Sequence, residues 1–175
     1  MDIRKYFIVN NDEPPKPKPT PIKNPIFKNC SESSPPKKDR QNKIFKVFTD
    51  GSSMNNGYKN CYGGIGVFFE DDSPYNISEK MTFKEDGKVS NNVCELTACL
   101  RAIQTIKKFN DFNHLDDIIL VYTDSKYLID SITKWSTSWE RNGWMRKNKG
   151  GKLVPVKNVE LIKQIKALTI VNNVQ

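Results

Sequence analysis

Three acidic residues, each set in its own short motif, are the candidates for a catalytic or metal-binding site in this chain. Asp50 follows the β-branched run 44–49, and Asp124 follows the similar run 118–123. Glu95 lies just inside the start of an amphipathic helical stretch. Carboxylates at the ends of neighbouring strands and in the first turns of a packed helix can meet at one point, and hard cations choose oxygen ligands. In a basic chain, this trio predicts a Mg²⁺ site that acts on phosphates.

Each acid also has a structural explanation when it is taken alone. An Asp after a strand is a common turn residue, and Asp124 with Ser125 could cap a helix that begins near Lys126. Glu95 could complement the dipole of its helix. The order and context of the three motifs, rather than any one of them, favour a shared site.

Hydrophobic periodicity and turn residues predict the strands and helices that carry these acids. The crossover from the first strand to the fourth contains a helix, so these two strands should be parallel neighbours with Asp50 and Asp124 at the same end. Within the helix, Glu95 begins a stripe that continues through Cys99 and Ala102, near the buried side. The predicted strands are 44–49, 61–70, 76–83 and 118–123, and the predicted helices are 90–108, 125–132 and 158–168.

Composition divides the chain near Lys43. Residues 1–43 hold eight of the ten prolines, which remove backbone donors and prevent a helix or sheet from propagating. We therefore interpret residues 10–43 as a disordered linker rich in Pro and Lys, and residues 44–175 as one α/β domain.

The net charge and the cysteine content limit the classes of protein to which this chain can belong. The net charge is +8, and residues 134–166 carry nine Lys or Arg against two Glu, interleaved with three Trp. This pattern favours phosphate and sugar contacts over a merely solvated face. The four cysteines show no zinc spacing, and Cys94 and Cys99 are expected in the core of one helix. With no signal-peptide pattern and no apolar span, we expect no membrane contact and an intracellular, reducing location, cytoplasm or nucleus.

The motifs together resemble the ribonuclease H family of the cellular type 1, over about residues 44–171. The resemblance rests on Thr-Asp-Gly-Ser at 49–52, Ser-Asn-Asn-x-x-Glu at 90–95 and Thr-Asp-Ser at 123–125. It continues through Trp-x₄-Trp at 139–144 and Pro-Val-Lys-Asn-x-Glu-Leu at 155–161. Integrases and transposases share the fold but lack this Trp-rich segment, so they are disfavoured.

The resemblance implies a metal-dependent endonuclease that hydrolyses the RNA strand of RNA–DNA hybrids and leaves 5′-phosphate and 3′-hydroxyl ends. It implies two Mg²⁺ ions, with Mn²⁺ as a substitute. Asp50 would bridge both ions, Glu95 and Asp124 would complete the sites, and Glu95 would approach the ribose 2′-hydroxyl.

The resemblance also assigns substrate contacts, each beside a structural alternative. Residues that would line the minor groove are Ser53, Asn56, Asn91 and Asn92; those that would hold a DNA-strand phosphate are Asn56, Lys88 and Ser90. The DNA strand would be gripped by Trp135, Trp139 and Trp144, and further phosphates by Lys147, Lys149 and Lys152. The alternatives are helix capping for the asparagines, a core cluster for the Trp residues and a solvated face for the lysines. His114, the single histidine, receives no role.

The chain departs from the family pattern at both ends. The expected fold is an α/β, ribonuclease H-like, mixed five-stranded sheet flanked by helices, but its last strand and C-terminal helix, with a fourth carboxylate, are missing from this sequence. An unpaired sheet edge then needs cover from the N-terminal tail or a partner. A catalytically weak or dead hybrid-binding module is the alternative function.

Residues 1–9 resemble the box by which replication proteins bind a sliding clamp. Ile3, Tyr6 and Phe7 would form one apolar plug on a short helical turn. This box favours a clamp-tethered replication accessory as the second alternative function. The structural alternative for residues 1–9 is a disordered chain start.

Overall fold

The computed structural model describes residues 5–9, 42–55, 61–81, 89–113 and 117–169, with only the backbone of 5–9. Most of the predicted linker, residues 10–41, lies outside the described residues, as do residues 170–175. Ile3, Asn56, Lys88 and His114 lie outside them too, so the predictions made for these four remain predictions.

The elements follow the predicted order, with additions at the N-terminus and in the basic segment. The strands are β1 (Lys5–Val9), β2 (Ile44–Met54), β3 (Tyr62–Phe68), β4 (Ile77–Met81), β5 (Ile118–Thr123), β6 (Met145–Lys147) and β7 (Leu153–Pro155). The helices are α1 (Asn91–Ile106), α2 (Lys126–Asp130), α3 (Ser136–Arg141) and α4 (Val159–Leu168), with a π-helical turn (Ser131–Trp135) between α2 and α3.

A mixed five-stranded sheet in the order β1-β5-β2-β3-β4 forms the centre of the fold. Strands β2, β3 and β4 are antiparallel neighbours, whereas β2 and β5 are parallel, with Phe48 opposite Tyr122. This confirms the predicted α/β class and the helical crossover. The carboxyl ends of β2 and β5 therefore lie side by side.

The fifth strand comes from the N-terminus, so the tail covers the sheet edge, which was one of the two covers predicted from the sequence. Strand β1 pairs antiparallel with β5, from Lys5 opposite Thr123 to Val9 opposite Ile119. The sheet therefore does not lack its fifth strand, because the unpaired backbone groups of an edge accept any extended segment that reaches them. The same segment is a strand instead of the predicted helical turn at Tyr6 and Phe7. Clamp binding itself stays a prediction.

The core lies between one face of the sheet and α1. Val47, Ile119 and Val121 are fully buried on that face. Helix α1 packs over β2 and β3 and buries Cys94 and Cys99 as predicted, and α4 packs on α1 in turn. On the other face the side chains of Phe48 and Phe68 are 47% and 44% exposed. No helix among the described residues is long and apolar enough to cross a membrane.

Candidate active site

The structure brings the three predicted carboxylates together. One carboxylate oxygen from each of Asp50, Glu95 and Asp124 lies within 4.8 Å of the other two. Asp50 belongs to β2, Asp124 directly follows β5, and Glu95 lies at the start of the second turn of α1. Asp50 and Asp124 are exposed whereas Glu95 is buried, so one side of the trio faces solvent and the other faces the protein interior.

Gly51 explains how a helix residue can join two strand residues. A Cβ atom at Gly51 would overlap the Cys94 carbonyl carbon and the Glu95 nitrogen, so α1 crosses β2 at backbone contact. A glycine within a strand often marks such a close approach. The Gly51 N–H also donates to Asp50 Oδ1 at 2.7 Å, which orients that carboxylate. Sequence reasoning named the motif but not this role, although a glycine interrupting a strand was a usable signal.

The folded site disfavours the charged form of Glu95. Burial, helped by the charges of Asp50 and then Asp124, raises the pKa of Glu95 to about 7. Its Oε2 atom is buried and has no hydrogen-bond partner among the described residues. A buried carboxylate oxygen without a donor is costly unless a cation satisfies it. An all-oxygen donor set with such an orphan atom fits a hard divalent cation such as Mg²⁺.

The predicted minor-groove residues meet where β2 ends and α1 begins. The Ser53 N–H donates to Asn91 Oδ1 at 2.9 Å, so the two residues are joined. Ser90 caps α1, because its hydroxyl oxygen accepts from the Val93 N–H at 3.4 Å. Ser90 is therefore the cap of α1, whereas the Asn91 amide ties α1 to the sheet instead of capping the helix.

A groove of about 490 Å³ gathers four of the predicted substrate contacts: Asn92, Trp135, Trp139 and Lys147. The Trp135 and Trp139 rings lie 5.5 Å apart between centroids. Sequence reasoning did not name the four further lining residues, Tyr127, Arg146, Val156 and Lys157. Arg146 is next to Lys147, which was predicted. The sequence does not show which residues of the basic segment line one groove, because that depends on how the segment folds.

Trp144, Lys149 and Lys152 do not line this groove. Trp144 packs against the core, and the Lys163 ammonium lies 5.3 Å from the centroid of its ring. This packing agrees with the core-cluster alternative for Trp144, and the grip of Trp144 on a DNA strand stays a prediction. Lys149 and Lys152 are exposed in the turn that joins β6 to β7.

A second, larger groove of about 990 Å³ lies on the sheet face that carries the exposed aromatic rings. It is bordered by Asp50 and Asp124 at one end and by Phe48, Phe68 and Tyr122 beyond them. The Phe48 and Tyr122 rings are stacked at 4.7 Å. The carboxylate site therefore opens onto this face as well.

Carboxylates that converge from two parallel strands and a helix, beside a basic aromatic groove, are typical of α/β enzymes that act on nucleic-acid phosphates. The family model described as RNase H matches residues 42–175. The chain belongs to the RNase H family.

Two curated relatives agree with this assignment. A ribonuclease H of Schizosaccharomyces pombe is 36% identical over 128 residues, which are 73% of this chain but only 42% of that protein. One from Zymomonas mobilis is 34% identical over 77% of this chain and 74% of its own length. Among solved structures, the foamy viral protease-reverse transcriptase in complex with RNA/DNA hybrid is 21% identical with a TM-score of 0.46, covering 82% of this chain and 18% of that chain. The PFV RNase H domain is 24% identical with a TM-score of 0.43, covering 70% of each chain.

Proposed function

We propose that this protein hydrolyses the RNA strand of RNA–DNA hybrids with two Mg²⁺ ions and leaves 5′-phosphate and 3′-hydroxyl ends. The observation that carries the proposal is the convergence of Asp50, Glu95 and Asp124, with a buried, unpartnered oxygen on Glu95. The relatives named ribonuclease H supply the substrate class.

The site residues divide the work by their positions. Asp50, whose carboxylate accepts from the Gly51 N–H, would be shared between two cation positions. Glu95 and Asp124 would each complete one of them. The bound ions would supply an activated water and relieve charge on the leaving 3′ oxygen. Because its pKa is raised to about 7, Glu95 must lose a proton before it can hold a cation at full charge.

Substrate recognition would involve the start of α1 and the groove beside it. Ser53, Asn91 and Asn92 lie where β2 ends and α1 begins, and a ribose 2′-hydroxyl there would distinguish RNA from DNA. Asn92 also lines the groove that contains Trp135, Trp139 and three cationic side chains. Cations there can hold the phosphates of a strand while the rings pack against its sugars and bases.

The direct test is a cleavage assay on four matched duplexes: an RNA–DNA hybrid, double-stranded DNA, double-stranded RNA and a hybrid whose RNA strand carries 2′-O-methyl groups. Each is incubated with Mg²⁺, with Mn²⁺ and with chelator, and the product ends are identified by enzymatic labelling. We expect cleavage of the unmodified hybrid alone, with either metal and never with chelator.

Three outcomes separate the candidate functions. Cleavage that survives chelation, or that prefers a homoduplex, contradicts the proposal. Tight binding of the hybrid without any cleavage would instead establish the hybrid-binding module. Neither binding nor cleavage of the hybrid would refute both.

A further inference from the structure

Two cysteines outside the proposed mechanism lie close together behind the carboxylate site. The Cys61 thiol donates to the Val89 carbonyl oxygen at 2.9 Å. Cys94 and Val89 belong to one small buried cluster, and Cys61 packs against it. A Cβ atom at Gly63 would overlap Cys94 Sγ and lie 2.8 Å from Val89 Cγ1. The Cys94 sulfur therefore occupies the side-chain space of a residue only two positions from Cys61.

Packing therefore brings the two cysteines together at the start of β3. Two steps along a strand cover about 6.6 Å, and alternate residues share one face. Burial is the main cause that raises the pKa of the Cys94 thiol, and the Cys61 thiol raises it further. Both are free thiols in this structure.

We propose that Cys61 and Cys94 form a reversible disulfide that switches the carboxylate site off, an inference that rests on the proposed nuclease function. Cys61 is partly exposed and meets an oxidant first, whereas Cys94 is buried. With oxidised glutathione, the Cys61 thiolate attacks the glutathione disulfide and releases one glutathione thiolate. The Cys94 thiolate then attacks the Cys61 sulfur and releases the second. Two protein thiols thus lose two electrons and two protons, and one glutathione disulfide becomes two thiols.

The link would act on the site because Cys94 directly precedes Glu95. A disulfide requires a sulfur–sulfur bond of about 2.05 Å and Cα atoms within about 7 Å, so the two free sulfurs have to close to bonding distance. The first turns of α1 already touch the β2 backbone at Gly51 and cannot move inward. The part of this approach that Cys94 makes therefore tilts or shifts α1 along the sheet and moves Glu95 relative to Asp50 and Asp124. Reduction restores the original packing.

The experiment uses the full chain with Cys30→Ser, which removes the fourth thiol without touching the described core. The protein is equilibrated in buffers of increasing ratio of oxidised to reduced glutathione. Three quantities are followed: the Cys61–Cys94 linkage by peptide mass mapping, the melting temperature, and the hybrid cleavage rate with Mg²⁺. Cys61→Ser removes the switch while leaving α1 intact, and Cys99→Ala is the matched control, since Cys99 is a buried α1 cysteine with no role in the link.

We expect the linked peptide to appear together with a cleavage rate at least tenfold lower, both reversed by dithiothreitol. Cys61→Ser should keep its rate in every buffer, and Cys99→Ala should respond as its parent does. Absence of the linked peptide in fully oxidising buffer, in protein that cleaves hybrid when reduced, overturns the inference, as does a linked protein with an unchanged rate. If the reduced protein cleaves nothing, the proposed function has failed; the linkage then has no site to switch off, and the inference fails with it.

Discussion

Glu95 is the residue at which the needs of the fold and of the site conflict. Burial raises its pKa from 4.5 to about 7, so the metal-free folded state favours the protonated acid. The stability that this preference contributes is fully present below pH 4.5 and is lost as the pH rises through about 7. We predict that the metal-free protein loses at most about 3 kcal/mol of unfolding free energy across this window. Urea unfolding in chelator at pH 5 and pH 8 measures it.

The variant Glu95→Gln isolates this effect, because it keeps the shape of the side chain and removes the titration. Its stability should change much less between pH 5 and pH 8 than that of the wild type. Glu70→Gln, at an exposed position away from the site, is the matched control and should keep the wild-type dependence. Equal pH dependence in the wild type and Glu95→Gln would show that Glu95 is not the strained group.

Residue-scale chemistry was largely predictable, but the distribution of strain was not. The identities of Asp50, Glu95 and Asp124 followed from motif order and strand ends. The helical stripe predicted that Glu95 lies near the buried side, but it did not show that Asp50 and Asp124 stay exposed while the pKa of Glu95 is raised. Exposure depends on which face of a strand the helix covers, and that is decided by packing rather than by the motif.

At the scale of elements, the contact between α1 and β2 controls the geometry of the site. A methyl group at Gly51 has no space, since it would overlap two backbone atoms of α1. We predict that Gly51→Ala lowers the unfolding free energy by about 3 kcal/mol, because rigid backbone has to move. It should also weaken the affinity for Mg²⁺, because Glu95 moves with α1. Chemical denaturation and calorimetric titration measure the two effects.

Gly66→Ala is the matched control on the neighbouring strand. Its Cβ atom would meet nothing closer than the Asp50 carbonyl oxygen at 4.0 Å, so it should leave stability unchanged or slightly raised. If both variants behave alike, the close approach at Gly51 does not hold α1 in place.

The hairpin formed by β6 and β7 divides the basic segment into two groups. Lys147 lines the groove with Arg146 and Lys157, whereas Lys149 and Lys152 lie in the exposed turn. We predict that Lys147→Ala weakens hybrid binding and reduces the slope of log affinity against log salt by about one unit. The double variant Lys149→Ala, Lys152→Ala should change the slope less. Fluorescence anisotropy at several salt concentrations tests this, and equal slopes for all proteins would mean that the groove does not hold phosphate.

Long periodic elements could be predicted, and short or non-local ones could not. The run 118–123 and helix 90–108 gave β5 and α1 almost to the residue, because alternation and helical spacing are local signals. The N-terminal tail was predicted as one possible cover of this edge, but its pairing as strand β1 left no local signal, because its partner lies more than a hundred residues away in sequence. The three-residue strands β6 and β7 and the π-helical turn before α3 are too short to leave a pattern.

At the scale of the whole molecule, β1 closes the edge of the sheet at β5. The end of β1 and the start of β2 lie two strand spacings apart, about 10 Å, a distance that a chain of the length of residues 10–43 is more than long enough to span. We predict that deletion of residues 1–9 lowers the melting temperature by about 5 °C, the shift expected for ~1–2 kcal/mol in a domain of this size. It should also promote self-association, because the bared edge can pair with another copy. Thermal melting and analytical ultracentrifugation measure both.

Deletion of residues 20–29 is the control, because it shortens the linker but keeps β1 and enough chain to reach β5. Its melting temperature and sedimentation should match those of the wild type. A deletion of residues 1–9 that melts and sediments like the full chain would show that β1 does not close the edge in solution.

The central claim is that Asp50, Glu95 and Asp124 form a metal site that cleaves RNA in a hybrid. It is tested most directly by the single-turnover rate of hybrid cleavage at saturating Mg²⁺ for Asp50→Asn beside Asp71→Asn, an acid in the turn after β3. The Asn side chain keeps the size of the shared ligand but not its charge. We predict a rate at least about a thousandfold lower for Asp50→Asn and a normal rate for Asp71→Asn. A rate for Asp50→Asn within tenfold of the wild type would contradict the claim.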